Sequence, residues 1–100
     1  MERKDKGADS NRNVGRVMAI LDALAQASDQ GLRLTDVMQT ARLNKTTAHR
    51  LLASLTAYGL ADQHPETGRY FVGLRLLSLS QAARKGFALA PLREPGLVRI

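Results

Sequence analysis

The segment from Asn44 to Leu55 begins with polar and basic side chains and passes without a break into a leucine-rich helix. Hydroxyl, imidazole and cationic groups at the start of a helix can reach base edges in a DNA groove, and the positive end of the helix favours a phosphate. Five side chains there are candidate contacts to nucleic acid: Lys45, Thr46, Thr47, His49 and Arg50. A simpler interpretation of the same residues is helix capping and solvation.

The two faces of this helix differ in a way that suits docking in a groove. At about 100° per residue, four apolar side chains gather on one side and predict the core face: Ala48, Leu51, Leu52 and Leu55. The opposite side is cationic at its start and very small further on, and it consists of Thr46, Arg50, Ala53 and Ala57. No acidic residue occurs between Asp36 and Asp62. A helix that enters the major groove needs such a slim, non-acidic outer surface, so the pattern favours DNA binding.

The composition argues against several other classes of function. The chain of 100 residues has a net charge of +6, from fifteen Lys and Arg residues and nine Asp and Glu residues. This charge favours a polyanionic partner. Cys is absent and the two His residues are His49 and His64, so we expect no disulfide, transition-metal site or cofactor. No acid–base pair shares a motif, which gives an enzyme little support. Asp22 breaks the longest apolar run and no signal peptide is evident, so we expect a cytoplasmic protein without membrane contact.

The first third of the chain predicts a tail and one helix. Residues 1–13 hold no aliphatic side chain larger than methionine, so we expect a disordered tail there. An amphipathic helix is predicted from residue 14 to about 27. Its core-facing stripe is expected to comprise Val14, Val17, Ile20, Leu21 and Leu24.

The middle of the chain predicts a helix, a tight turn and a second helix. Thr35 is predicted as the N-cap of a short helix that ends near Ala41. Asn44 is the next cap candidate, and the helix after it is predicted from residue 45 to about 58. Gly59 suits the left-handed position that ends many helices.

The periodicity changes after Gly59 and predicts a hairpin. Residues 60–63 and 69–72 are strand candidates, and residues 64–68 form a loop with Pro early and Gly late. Arg69 near the tip of this wing is a candidate contact to the DNA backbone or minor groove, whereas His64 is interpreted as a loop residue. A further helix follows, and its leucines spread over more than one face, which favours a dimer contact: Leu74, Leu76, Leu77 and Leu79.

Several spaced segments together resemble the amino-terminal domain of the IclR family of bacterial transcriptional regulators. They are Arg16 with Ile20 and Leu21 in the first helix, Leu34 and Thr35 at the entry to the second, the run from Leu43 to Leu52, and the run from His64 to Gly73. Each segment alone is weak, but their agreement in order over roughly residues 14 to 80 makes the resemblance strong.

The resemblance implies a fold that is mainly α with a small β-hairpin wing, a winged helix-turn-helix DNA-binding domain over residues 14–73. Residues 74–100 would form a linker and dimerisation helix leading to an effector-binding domain that this chain does not contain. It also implies a repressor or activator that binds a double-stranded DNA operator as a homodimer, often a tetramer in the complete protein, with a small-molecule effector acting through that other domain. The residues expected to bind DNA are Arg16, Thr35, Lys45, Thr46, Thr47, His49, Arg50 and Arg69.

Some alternatives remain open at this point. Arg16 either contacts a phosphate or faces solvent. Phe71 stands where the family often has a basic or polar residue, and Pro95 with Gly96 would interrupt a linker helix that usually continues further. A winged helix used for protein contacts is the alternative function, although such a face would be expected to carry larger apolar residues than Ala53.

Overall fold

The computed structural model describes residues 2–89, with side-chain positions for residues 10–87. Within that part of the chain, the elements are α1 (Glu2–Gln26), α2 (Leu34–Ala41), α3 (Lys45–Ala57), β1 (Ala61–Gln63), β2 (Tyr70–Val72) and α4 (Arg75–Leu89). A short turn joins α2 to α3, and β1 pairs with β2 in an antiparallel hairpin. This is the winged helix-turn-helix arrangement that the sequence predicted.

Helix α1 is longer than the sequence predicted. It begins at Glu2, so residues 2–13 are helical and the prediction of a disordered tail was wrong for them. Low hydrophobicity indicates that a segment buries little surface by itself. A helix already nucleated by its core-facing part can nevertheless extend into Glu, Arg, Lys and Ala residues, which have good helix propensity.

The hydrophobic core forms where α1, α2, α3 and the hairpin meet. Its buried members come from all of these elements: Ile20, Leu24, Val37, Leu52, Leu55, Ala61 and Tyr70. The predicted stripe of α1 is confirmed at Ile20 and Leu24, and Val17 and Leu21 pack against the core while half-buried. Val14 lies outside the core and is 62% exposed, because α1 extends past the other elements at that point.

The start of α2 corrects the predicted N-cap. The cap residue is Arg33, and Thr35 lies inside the first turn instead. The Asp36 carboxylate reaches back and accepts a hydrogen bond from the Arg33 N–H at 3.0 Å. Capping here is therefore done from within the helix, which allows Leu34 to be the first helical residue and to pack against the core.

The hairpin has a regular register, and an isolated bridge joins it to the loop after α1. Ala61 pairs with Val72, and Gln63 pairs with Tyr70. Leu32 forms an isolated bridge to Tyr70 through two backbone hydrogen bonds of 3.0 and 2.7 Å. Leu32 is thus a single bridged residue that fixes β2 to the loop after α1.

Phe71 packs against the loop between α1 and α2. Gly31 in that loop has a φ of +75°, and a Cβ built there would lie 2.7 Å from the Phe71 Cζ atom. The ring therefore occupies the space that a side chain at position 31 would need. Phe71 is half-buried, which gives this departure from the family pattern a packing role.

The turn after α3 is joined closely to the start of α4. Gly73 donates its N–H to the Leu60 carbonyl at 2.9 Å, and Arg75 donates its backbone N–H to the Gly59 carbonyl at 3.2 Å. The Arg75 Nη1 group also donates to the Tyr58 carbonyl at 3.0 Å. The last of these bonds satisfies the carbonyl of the C-cap residue of α3, and the other two hold the turn that follows the helix.

Helix α4 contributes no residue to the buried core of the described chain. Three large apolar side chains at its start are exposed, Leu74 by 77%, Leu77 by 58% and Leu79 by 50%. Pro95 and Gly96, which were expected to interrupt the linker helix, lie outside the described residues. Among residues 2–89, no helix combines the length and apolar character needed to cross a membrane.

Candidate nucleic-acid interface

The amino-terminal end of α3 is fixed by its cap. The Asn44 Oδ1 atom accepts a hydrogen bond from the Thr47 N–H at 2.8 Å, which confirms the predicted cap. The Thr47 side chain is half-buried on the shoulder of the helix. The turn before the cap places Arg42 in the left-handed region at φ 58° and ψ 52°, which turns the chain sharply between α2 and α3.

The exposed face of α3 carries most of the predicted contact residues. Ala48 and Leu52 have no exposed surface, and Leu55 is 5% exposed, so the opposite face must point outward. The exposed residues are Lys45, Thr46, His49, Arg50, Ala53, Ser54 and Ala57. Cationic and hydrogen-bonding groups are thus grouped at the start of α3, and only small side chains follow them.

We expect Asn44→Ala to lower the free energy of unfolding by about 0.5–2 kcal/mol, because the Thr47 N–H loses its acceptor. Urea unfolding followed by circular dichroism measures this change. Asn44→Asp is the control, since its carboxylate keeps an oxygen at the same position. Equal losses in the two variants would contradict a capping role for Asn44.

The loop of the wing is closed by hydrogen bonds around His64 and Arg69. The His64 N–H donates to the Arg69 carbonyl at 2.8 Å, and the Gly68 N–H donates to the His64 carbonyl at 2.8 Å. Arg69 therefore lies at the base of the loop opposite His64, rather than at its outermost turn. Its side chain is half-buried, and its N–H donates to the Thr67 Oγ1 atom at 3.2 Å.

The remaining two predicted residues lie on other helices. Arg16 is half-buried on α1, and Thr35 is exposed in the first turn of α2. Two further exposed cations, Arg33 and Arg42, border the helix-turn-helix and were not among the predicted contacts. Their signal in the sequence was their position immediately before α2 and α3, where basic residues can reach phosphates.

Comparison with known proteins settles the family. A model of the IclR helix-turn-helix domain matches residues 13–65, more than half of the chain. The chain belongs to the IclR family. Residues 13–65 thus include α2, α3 and the first strand of the wing, the same elements that carry the exposed polar face.

Relatives of this IclR domain are regulators of transcription. The transcriptional regulator XynR of Escherichia coli is 36% identical over 66 residues, which are 66% of this chain and 26% of XynR. The glycerol operon regulatory protein of Streptomyces griseus is 39% identical over 71 residues, which are 71% of this chain and 28% of that protein. The chain therefore spans little more than a quarter of the length of these relatives.

A solved structure supports the fold of the IclR domain. The crystal structure of HmgR from Pseudomonas aeruginosa superposes with a TM-score of 0.62 at 32% sequence identity. The likeness covers 73% of this chain and 29% of HmgR. Four helices and a two-stranded antiparallel sheet are the winged-helix architecture of this family.

Proposed function

We propose that this domain binds double-stranded operator DNA with the exposed face of α3 in the major groove, in a bacterial transcriptional regulator. The observation that carries the proposal is the division of α3 into a buried apolar face and a slim, non-acidic outer face. Thr46, His49 and Arg50 would face base edges, because they occupy the exposed first turns of the helix. Lys45 would face a phosphate, and Thr47 would touch the backbone from the shoulder of α3.

Cations around α3 would hold the domain on the phosphate backbone. Arg42 in the turn and Arg33 before α2 are exposed on the same helix-turn-helix, and Thr35 is exposed beside them. Arg69 would contact the backbone or the minor groove from the wing, and Arg16 would contact a phosphate from α1. The one acidic side chain of α2, Asp36, is half-buried and accepts a backbone hydrogen bond, so it adds little repulsion.

Protein contact through α3 is a less favourable use of the same surface. The large apolar side chains that are exposed in the described chain lie on α1, on α4, at Tyr58 and at Val72, and none lies within α3. A helix face that binds a protein usually buries large apolar or aromatic anchors. The small side chains Ala53 and Ala57 instead allow close approach to a groove.

We also propose that two copies of the chain bind one operator. Exposed apolar side chains support this part of the proposal: Leu74 directly before α4, Leu77 and Leu79 on α4, and Val14 and Met18 on α1. Two copies related by a twofold axis would place two α3 helices on a partly palindromic site. A cytoplasmic location belongs to the same proposal, because bacterial operators lie there. Binding of a small-molecule effector outside this domain stays a prediction.

Binding to random-sequence duplex DNA over a series of salt concentrations tests the proposal. Fluorescence anisotropy gives the affinity, and we expect a slope corresponding to about four to six neutralised phosphates per protomer at roughly 0.9 per contact. Sedimentation equilibrium on the same samples gives the number of chains per duplex. A weak dependence on salt, or no binding at low salt by a covalently linked dimer, would favour a protein partner for α3.

A further inference from the structure

The side chain of His64 accepts hydrogen bonds from the backbone of the wing loop. Its Nδ1 atom accepts hydrogen bonds from the backbone N–H of Glu66 at 3.2 Å and from that of Thr67 at 3.3 Å. The His64 backbone also bonds to Gly68 and Arg69 on the other side of the loop. His64 therefore bonds through its ring to the middle of the loop and through its backbone to the far end of the loop.

This geometry requires a particular form of the imidazole. A nitrogen that accepts a hydrogen bond carries no proton, so the proton of the neutral ring must be on Nε2. The protonated ring carries hydrogen on both nitrogens and accepts at neither. Protonation of His64 would thus leave the Glu66 and Thr67 N–H groups without this acceptor.

The same loop sets the position of Arg69. Thr67 accepts the Arg69 N–H through its Oγ1 atom, and its own N–H is one of the two groups that His64 holds. On the other strand, the Gln63 side chain donates to the Gly68 carbonyl at 3.1 Å. A change in the His64 ring therefore reaches Arg69 through Thr67, in addition to the direct backbone bond between the two residues.

We propose that His64 is a positioning residue for Arg69, and that protonation of its ring loosens the wing and reduces the contribution of Arg69 to DNA binding. The second part of this statement rests on the proposed function. The charged residues that neighbour His64 along the hairpin are Asp62 on β1 and Glu66 and Arg69 in the loop. Lowering the pH adds a proton to an imidazole, so measurements at two pH values compare the two forms of the ring.

Nuclear magnetic resonance of the full chain tests the first part. The ¹⁵N shifts of the ring should identify the neutral form with its proton on Nε2. The Glu66 and Thr67 amides should lose protection from exchange when the ring is protonated. His64→Asn is the control, because the asparagine Oδ1 atom is as many bonds from the backbone as the histidine Nδ1 atom and does not titrate. In this variant the Glu66 and Thr67 amides should stay protected at both pH values. A proton on Nδ1 in the neutral ring, or protection that does not follow ring protonation, would overturn the proposal.

A double-mutant cycle tests the second part. At about pH 8, Arg69→Ala should raise the Kd for duplex DNA about fivefold in the wild-type and His64→Asn backgrounds, but by less than about twofold with His64→Ala. At about pH 5.5, the factor should shrink in the wild type and persist in His64→Asn. Taking the ratio at each pH cancels any effect of pH that does not involve Arg69. If Arg69→Ala leaves the Kd unchanged in every background, Arg69 does not contact DNA, and the resonance test of the loop is unaffected. If Arg69→Ala raises the Kd by the same factor in every background, His64 does not position Arg69.

Discussion

Replacing Arg50 with alanine should weaken binding to the operator by roughly 5- to 150-fold, the equivalent of about 1–3 kcal/mol for one good base contact. The affinity for random DNA should fall much less, because removing one positive charge removes the contact to only one phosphate. The Arg50 side chain is exposed in the second turn of α3, so its removal leaves the core intact. The operator is first selected from random duplexes with the wild-type chain, and the Kd on both DNAs is then measured by anisotropy.

Arg84→Ala is the control for this experiment. Arg84 is also exposed and basic, but it lies on α4, so the variant removes the same charge at a distance from the proposed groove contact. It should change both affinities by the same small factor. If Arg50→Ala leaves the ratio of operator to random affinity unchanged, Arg50 does not contact a base.

Gly73→Ala should strongly destabilise the domain. A Cβ at Gly73 would clash with the Gly59 carbonyl oxygen and would lie 2.7 Å from the Ala61 backbone nitrogen. Both obstacles are backbone atoms held by the hydrogen bonds of this junction, so neither can rotate away. We expect a loss of about 3 kcal/mol or more in the free energy of unfolding, measured by urea denaturation.

Gly15→Ala supplies the control, because a Cβ at Gly15 meets nothing within 4 Å. Gly15 lies within α1, where alanine should stabilise the helix by about 0.5–1 kcal/mol. The same substitution should therefore lower the free energy of unfolding at position 73 and raise it at position 15. A loss below about 1 kcal/mol at Gly73 would mean that the junction shifts to accommodate a methyl group.

Periodicity was sufficient to predict the main elements and the two faces of α3. Helical spacing identifies Ala48, Leu52 and Leu55 as core residues because burial on one face is what makes a short helix stable. The strands were predicted within one residue of Ala61–Gln63 and Tyr70–Val72. Turn residues with strong conformational preferences, such as Gly59 at φ +78°, marked the boundaries.

The predictions failed where a particular hydrogen bond or packing contact decides the local structure. The cap of α2 moved to Arg33 because a carboxylate inside the helix does the capping. The role of Phe71 depends on Gly31, which is distant in sequence. The function of His64 depends on which ring nitrogen faces the loop, and no sequence pattern specifies that. Contacts of Arg16, Thr35 and the α3 residues with DNA stay predictions until they are measured.

The junction between α3 and α4 has a mechanical consequence. Three hydrogen bonds join Tyr58, Gly59 and Leu60 to Gly73 and Arg75, and the backbone at Gly73 leaves no slack for sliding. A rotation of α4 would therefore strain the hydrogen bonds at the end of α3, because no flexible linker separates the two helices at this point. The helix proposed to enter the groove and the helix that leaves the domain are thus coupled through the backbone at Gly73.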